Sequence, residues 1–262
     1  MVTTALDQSA VGRWGWRVPF LIGLTIGIFG LYIRRHLIEN EVIERGHAHL
    51  TSPVREAFRT EWRTIARLIA LGAVGAVGFY MSFVYITTYL RQVDHITQSK
   101  PSISIRFLWW VLLLLIPVVG KLSDHIGRKP VLLAAAGGMF LLAWPLFWML
   151  HYPDLAVNLI GQVGFAVLSA LFWGVIPATM VELVPVRVRC TVLSLGYNAG
   201  MAVLGGLTPM LAVYTITRSH YDLSPAFLLM AAAALSFVVV IGLRETYKMP
   251  LVSPASALAD AA

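Results

Sequence analysis

Seven long apolar runs, nearly free of charge, alternate along this chain with short gaps rich in arginine. They cover 18–34, 68–90, 103–122, 131–150, 155–181, 191–216 and 225–243. A hydrocarbon core about 30 Å thick takes about 20 helical residues. Backbone in lipid must satisfy its own hydrogen bonds, so each run predicts a transmembrane helix. Composition agrees: 58% of the 262 residues are hydrophobic and 13% are charged, against about 25% charged in soluble domains. The expected fold class is all-α and integral to a membrane. In the third run Arg106 and Lys121 sit near the two ends, where each side chain can snorkel to its own interface.

The basic residues set an orientation. With 34–67 placed in the cytoplasm, that side holds 14 of the 20 Lys and Arg residues, as the positive-inside rule requires. The net charge of +7 therefore points to anionic lipid and not to nucleic acid, because the basic residues lie in gaps between spans. The predicted layout is an outer N-terminal segment with the first span (1–34), a cytoplasmic linker (35–67), a six-helix region (68–243) and a cytoplasmic tail (244–262). Within the linker, Ser52-Pro53 reads as an N-cap followed by proline at the first helical position. Val54, Phe58, Trp62 and Ile65 then recur on one helical face, which predicts an amphipathic helix at the membrane surface. The lone Cys190 excludes an intrachain disulfide. The first run ends in Arg34-Arg35 without a small-residue cleavage site, so no cleavable signal peptide is expected.

Three gaps assigned to the cytoplasm each present an acid and a base: Asp124 with Arg128, Glu182 with Arg187 and Arg189, and Glu245 beside Arg244. Such pairs can lock one side of a carrier in one state and release it in another. The plainer alternative is positive-inside anchoring with surface pairs worth about 0–1 kcal/mol. Polar stripes inside the spans are the second signal. Asn158, Gln162, Phe165, Ser169 and Trp173 share one face of the fifth run; Ser194, Asn198, Met201, Gly205 and Thr208 repeat that spacing in the sixth; Ser82, Tyr85 and Tyr89 share a face of the second. These faces should turn inward, either to line a solute cavity or to bond neighbouring helices at about 0.6–2 kcal/mol each. Tyr85, Asn158, Gln162, Trp173 and Asn198 are the cavity candidates.

Apart from Arg34, Arg106 and Lys121 at span ends, no ionisable residue lies in any of the seven runs, although proton-coupled carriers normally use one. His47 and His49 form an isolated H-x-H, too few ligands for a zinc site, so no metal and no cofactor is expected. No nucleophile elbow, P-loop or GxGxxG turn is present, and no enzyme class is supported.

The run Gly120-Lys121-Leu122-Ser123-Asp124-His125-Ile126-Gly127-Arg128-Lys129-Pro130 resembles a loop motif of the major facilitator superfamily in its second copy. Glu182-Leu183-Val184-Pro185-Val186-Arg187-Val188-Arg189 and Trp14-Gly15-Trp16-Arg17-Val18-Pro19-Phe20 resemble two further motifs of the same superfamily. Together with Ser194–Asn198 and Gly205–Pro209 they are similar to its metabolite:proton symporter group, the proline/betaine-like branch. The resemblance covers about residues 13–250. It implies helices six to twelve of a twelve-helix design, alternating access, and proton-coupled symport of a small osmolyte or organic acid across a bacterial inner membrane, with the C-terminus cytoplasmic. In that reading Asp124, Arg128, Glu182, Arg187, Arg189 and Glu245 form an inner gate, and a missing N-terminal half is a possible partner. His125 departs from the motif's usual arginine. A non-transporting membrane remnant or scaffold, or one half of a split transporter, are the alternatives.

Overall fold

A computed structural model describes residues 13–36, 53–85, 99–152 and 154–247. The chain divides into two compact units, residues 1–50 and 51–262. In the first unit a 3-10 turn, Gly15–Arg17, leads into α1, Val18–His36. Arg17 N donates to Trp14 O at 2.9 Å to close that turn. The fully apolar part of α1 is Phe20–Ile33, about 21 Å long at 1.5 Å per residue. That is shorter than the span expected over 18–34, because charge re-enters at Arg34-Arg35.

The second unit holds α2 (Pro53–Thr60), α3 (Trp62–Phe79), α4 (Ser99–Ile126), α5 (Arg128–Leu150), α6 (Leu155–Trp173), α7 (Ile176–Leu183), α8 (Arg189–Ala199), α9 (Gly206–Ser219) and α10 (Ser224–Gly242). A π-helical turn, Tyr80–Tyr85, continues α3, and a second, Gly200–Gly205, joins α8 to α9. Six of the resulting rods are long and apolar enough to cross a membrane.

The second unit's core is built from α3, α5, α6 and α10. Phe147, Phe165, Leu68, Leu71 and Leu229 are all but fully buried there, and the rings of Phe147 and Phe165 meet edge to face at 5.3 Å. In α3 a glycine permits close approach. A Cβ at Gly75 would lie 2.1 Å from the Phe172 ring, so only hydrogen lets α6 seat that ring. α10 is tied to α3 by Ser236, whose hydroxyl accepts from Val74 N at 3.0 Å and donates to Ala70 O at 2.9 Å. Those two backbone groups are i and i−4 partners, so the side chain wedges into the ladder of α3. The span of α4 is only 17% buried and that of α8–α9 22%, against 56% for α3.

Two elements differ from the sequence expectation. The linker's amphipathic segment breaks at Glu61: α2 ends at Thr60, and Trp62 and Ile65 belong to α3. The reason is packing. Ala57 and Ile65 turn inward at 0% and 6% exposure, while Val54, Phe58 and Trp62 stay out. The fifth run is also two helices, α6 and α7, separated at Gly174-Val175, where Pro177 near the start of α7 favours a fresh helix N-terminus. Ser52, His47, His49 and the tail beyond Tyr247 lie outside the described residues.

Candidate functional site

The turn between α4 and α5 organises one end of the bundle. Gly127 adopts φ +104°, a conformation open to glycine and strained for other residues. A Cβ there would meet Glu245 Oε2 at 2.6 Å. This turn starts α5 at Arg128 with its first N–H groups unpaired within the helix. Glu245, just past α10, supplies the partners: Oε1 accepts from Arg128 N at 2.8 Å and Oε2 from Lys129 N at 3.1 Å. A carboxylate at a helix N-terminus also meets the positive end of its dipole. The contact is reciprocal. Lys129 Nζ donates to Ile241 O at 2.6 Å and Leu243 O at 2.8 Å, satisfying carbonyls at the C-terminal end of α10.

The Arg128 side chain joins the remaining acids. Nη1 lies 2.6 Å from Asp124 Oδ1, and Nε lies 3.4 Å from Glu182 Oε1. Nη1 also donates to Ser123 Oγ at 2.5 Å, and that hydroxyl donates to Gly120 O at 2.7 Å. The other oxygen of Glu182 accepts a hydrogen bond from Thr246 Oγ1. Arg128 and Glu182 are 12% and 13% exposed, Asp124 59%. The arginine is thus held between an acid in solvent and one that is part-buried.

Asp124, Arg128, Glu182 and Glu245 are therefore brought into one network. Arg189 opens α8 and donates from Nε to Val184 O at 3.1 Å, closing its own loop. Arg187 lies in the 3-10 turn Val186–Val188, with its side chain outside what is described. Ser123, Lys129 and Thr246 join the network without having been singled out. No residue-type signal marks Lys129, because its partners are backbone carbonyls 112 and 114 positions away.

The cavity candidates are dispersed. Asn158 and Gln162 are buried on α6, at 7% and 2% exposure. Asn158 Nδ2 donates to Leu150 O at 2.7 Å, and Gln162 Nε2 donates to Asn158 Oδ1 at 2.5 Å. Leu150 ends α5, about 33 Å along the axis from Arg128, so this pair caps that helix at the end remote from the charges. Trp173 stacks edge-on against Phe79 at 6.3 Å and Phe172 at 5.7 Å. It lines an apolar crevice with Leu68, Phe172, Met180, Tyr197 and Met201, whose space of about 10 Å³ suits about one water. Asn198 is exposed on α8 and bonds back to Ser194 O at 2.8 Å. Tyr85 closes the first π-helical turn, and its side chain lies outside what is described. Tyr80, five residues earlier, lies with its ring 2.7 Å from where a Cβ at Gly205 would stand, so the two π-helical turns meet. Such turns gather at functional sites, and apolar periodicity does not announce them. Among the described residues, no three His, Cys, Asp or Glu side chains form a metal-ligating group.

Residues 1–209 match the Major Facilitator Superfamily. The chain is 29% identical over 272 residues to the Proline/betaine transporter of Escherichia coli (strain K12), with 99% of this chain and 54% of that protein covered. It is 28% identical to the Glycine betaine/proline/ectoine/pipecolic acid transporter OusA of Dickeya dadantii (strain 3937), covering 99% of this chain and 54% of that protein. A Staphylococcus aureus (strain COL) relative is 32% identical over 246 residues, 92% of this chain and 52% of its own length. The chain spans about half the length of the curated relatives it matches. No solved structure matches it.

Proposed function

The chain belongs to the major facilitator superfamily, and from that premise we propose that it supplies the C-terminal half of a proton-coupled symporter for a small osmolyte such as proline or betaine. It is a membrane transporter chain and not an enzyme. The observation that carries the finer reading is the network around Arg128. Acids from three separate segments converge on one turn, where Arg128 is shared between Asp124 and Glu182. An arginine with two acids can exchange partners at little cost, which is what a gate needs as a carrier changes state. Arg187 and Arg189 extend the basic side of that gate. With the basic loops held inside by the positive-inside rule, the network faces the cytoplasm of a bacterial inner membrane, and the C-terminus lies on the same side.

The solute path runs along the sparsely buried faces of α4 and α8–α9, where Asn198 and Tyr197 are exposed. Trp173 stands behind the α8 face, Asn158 and Gln162 brace α6, and Tyr85 is the remaining candidate for that path. Proteoliposomes with an inside-alkaline pH gradient test the reading. The chain alone is expected to take up neither labelled proline nor betaine. Reconstituted with the N-terminal half of a proline/betaine carrier, it should accumulate one of them. Uptake by the isolated chain would overturn the half-carrier assignment, and no uptake by the folded, co-purified pair would overturn the osmolyte assignment.

A further inference from the structure

Four arginines flank the start of the span of α3, apart from the residues of the gate. Arg55, Arg59, Arg63 and Arg67 recur at every fourth position, and all four are exposed. Glu61 N donates to Ala57 O and Ile65 N to Glu61 O, both at 2.9 Å. These bonds carry the helical register across the break between α2 and α3. Residues four apart stay neighbours on a helix surface, so the arginines form one slowly winding band about 18 Å long. Beside it runs an apolar band, Val54, Phe58 and Trp62, at 52%, 54% and 57% exposure. Neither band can roll inward, because Ala57 and Ile65 already fill the buried side at 0% and 6%.

Trp62 is also where the span of α3 begins, so both bands sit where hydrocarbon meets headgroups. The guanidinium of Arg63 stands 5.4 Å from the Trp62 ring centroid, linking the two bands. Glu61 is turned to its own helix, where it accepts from Thr64 Oγ1 at 2.6 Å. Guanidinium groups pair with phosphate in a bidentate fork, and an apolar strip alongside them seats acyl chains. A zwitterionic headgroup brings its own cation beside the guanidinium groups; an anionic one does not.

We infer that the α2–α3 elbow is a binding site for anionic phospholipids, with Arg59, Arg63 and Arg67 taking the phosphates while Val54, Phe58 and Trp62 enter the acyl region. The full chain in nanodiscs of phosphatidylcholine, titrated with phosphatidylglycerol, tests this by native mass spectrometry of the retained lipid. Phosphatidylglycerol should be enriched over phosphatidylcholine. Each Arg→Gln change at 59, 63 or 67 should lower its apparent affinity about five-fold, whereas R59K/R63K/R67K, which keeps the charge but loses the fork, should lose less than R59Q/R63Q/R67Q. Arg218→Gln, in the last turn of α9, should change nothing. Equal enrichment in the wild type and R59Q/R63Q/R67Q would overturn the site, as would an equal loss in Arg218→Gln. If the triple variant does not fold, Arg63→Gln alone decides by the same measure. Displacement of the lipid by millimolar inorganic phosphate would reassign the band to a free anion and overturn the lipid proposal.

Discussion

The two ends of α5 solve one problem with different chemistry. At Arg128 the free N–H groups are closed by a carboxylate, Glu245, and the return contact to α10 is made by an ammonium group, Lys129. At Leu150 the last carbonyl is closed by a neutral amide, Asn158. Water explains the choice. The capping Glu245 and Lys129 are half-buried, in a network that reaches solvent at Asp124, 59% exposed, whereas Asn158 is 7% exposed. A charge removed from water costs several kcal/mol unless it is paired, and an amide far less. Charged caps stand where solvent is near and amide caps where it is not. The difference is also functional: an arginine between two acids has somewhere else to go, while an amide on a carbonyl has not.

The comparison would break most visibly at Arg128. Arg128→Ala takes the guanidinium from the part-buried Glu182 and from Asp124, and should cost about 2–3 kcal/mol, read as a lower melting temperature in detergent. Arg128→Lys keeps the charge but loses the fork and should fall between the two. An unchanged melting temperature for Arg128→Ala would mean the network adds nothing to the folded state. Gly127→Ala is expected next, at about 2 kcal/mol, from a strained φ and a Cβ that collides with Glu245. Because the new methyl displaces the Glu245 carboxylate, adding Glu245→Ala to Gly127→Ala should cost much less than Glu245→Ala alone. That double-mutant cycle separates a cap held by the turn from one that merely lies beside it.

The two ends were unequally legible in the sequence. Asp124 and Arg128 are four apart in a glycine-bounded turn, so their meeting at 2.6 Å follows from closeness along the chain and opposite charge. Six of the seven apolar runs stand out as span-length rods because length and hydropathy are properties of composition. What stayed hidden is contact with backbone. Nothing in the residue type of Glu245 names Arg128 N as its partner, and nothing in Asn158 names Leu150 O, because every residue carries the same carbonyl. Breaks at Glu61 and Gly174-Val175 were likewise invisible to periodicity, since the apolar pattern runs through them. The polar stripe on α6 was seen, but a stripe does not say whether it faces a solute or the next helix.

At the amide end the expected effects are smaller, and they separate capping from mere burial. Asn158→Ala leaves Leu150 O without this donor and should cost about 1 kcal/mol. A melting temperature equal to the wild type would show that another group closes α5.

Gln162→Leu is the finest probe. Its Nε2 serves Asn158 Oδ1, but its own Oε1 is buried with no hydrogen-bond partner. The substitution removes a donor that Asn158 uses and an acceptor that nothing uses, with little change in volume. The lost bond and the relieved desolvation oppose each other, so the net change should stay within about 0.5 kcal/mol. If Gln162→Leu instead costs as much as Asn158→Ala, then Oε1 is satisfied in the working protein, by water or by a solute. The α6 stripe would then belong to the transport path and not to the cap.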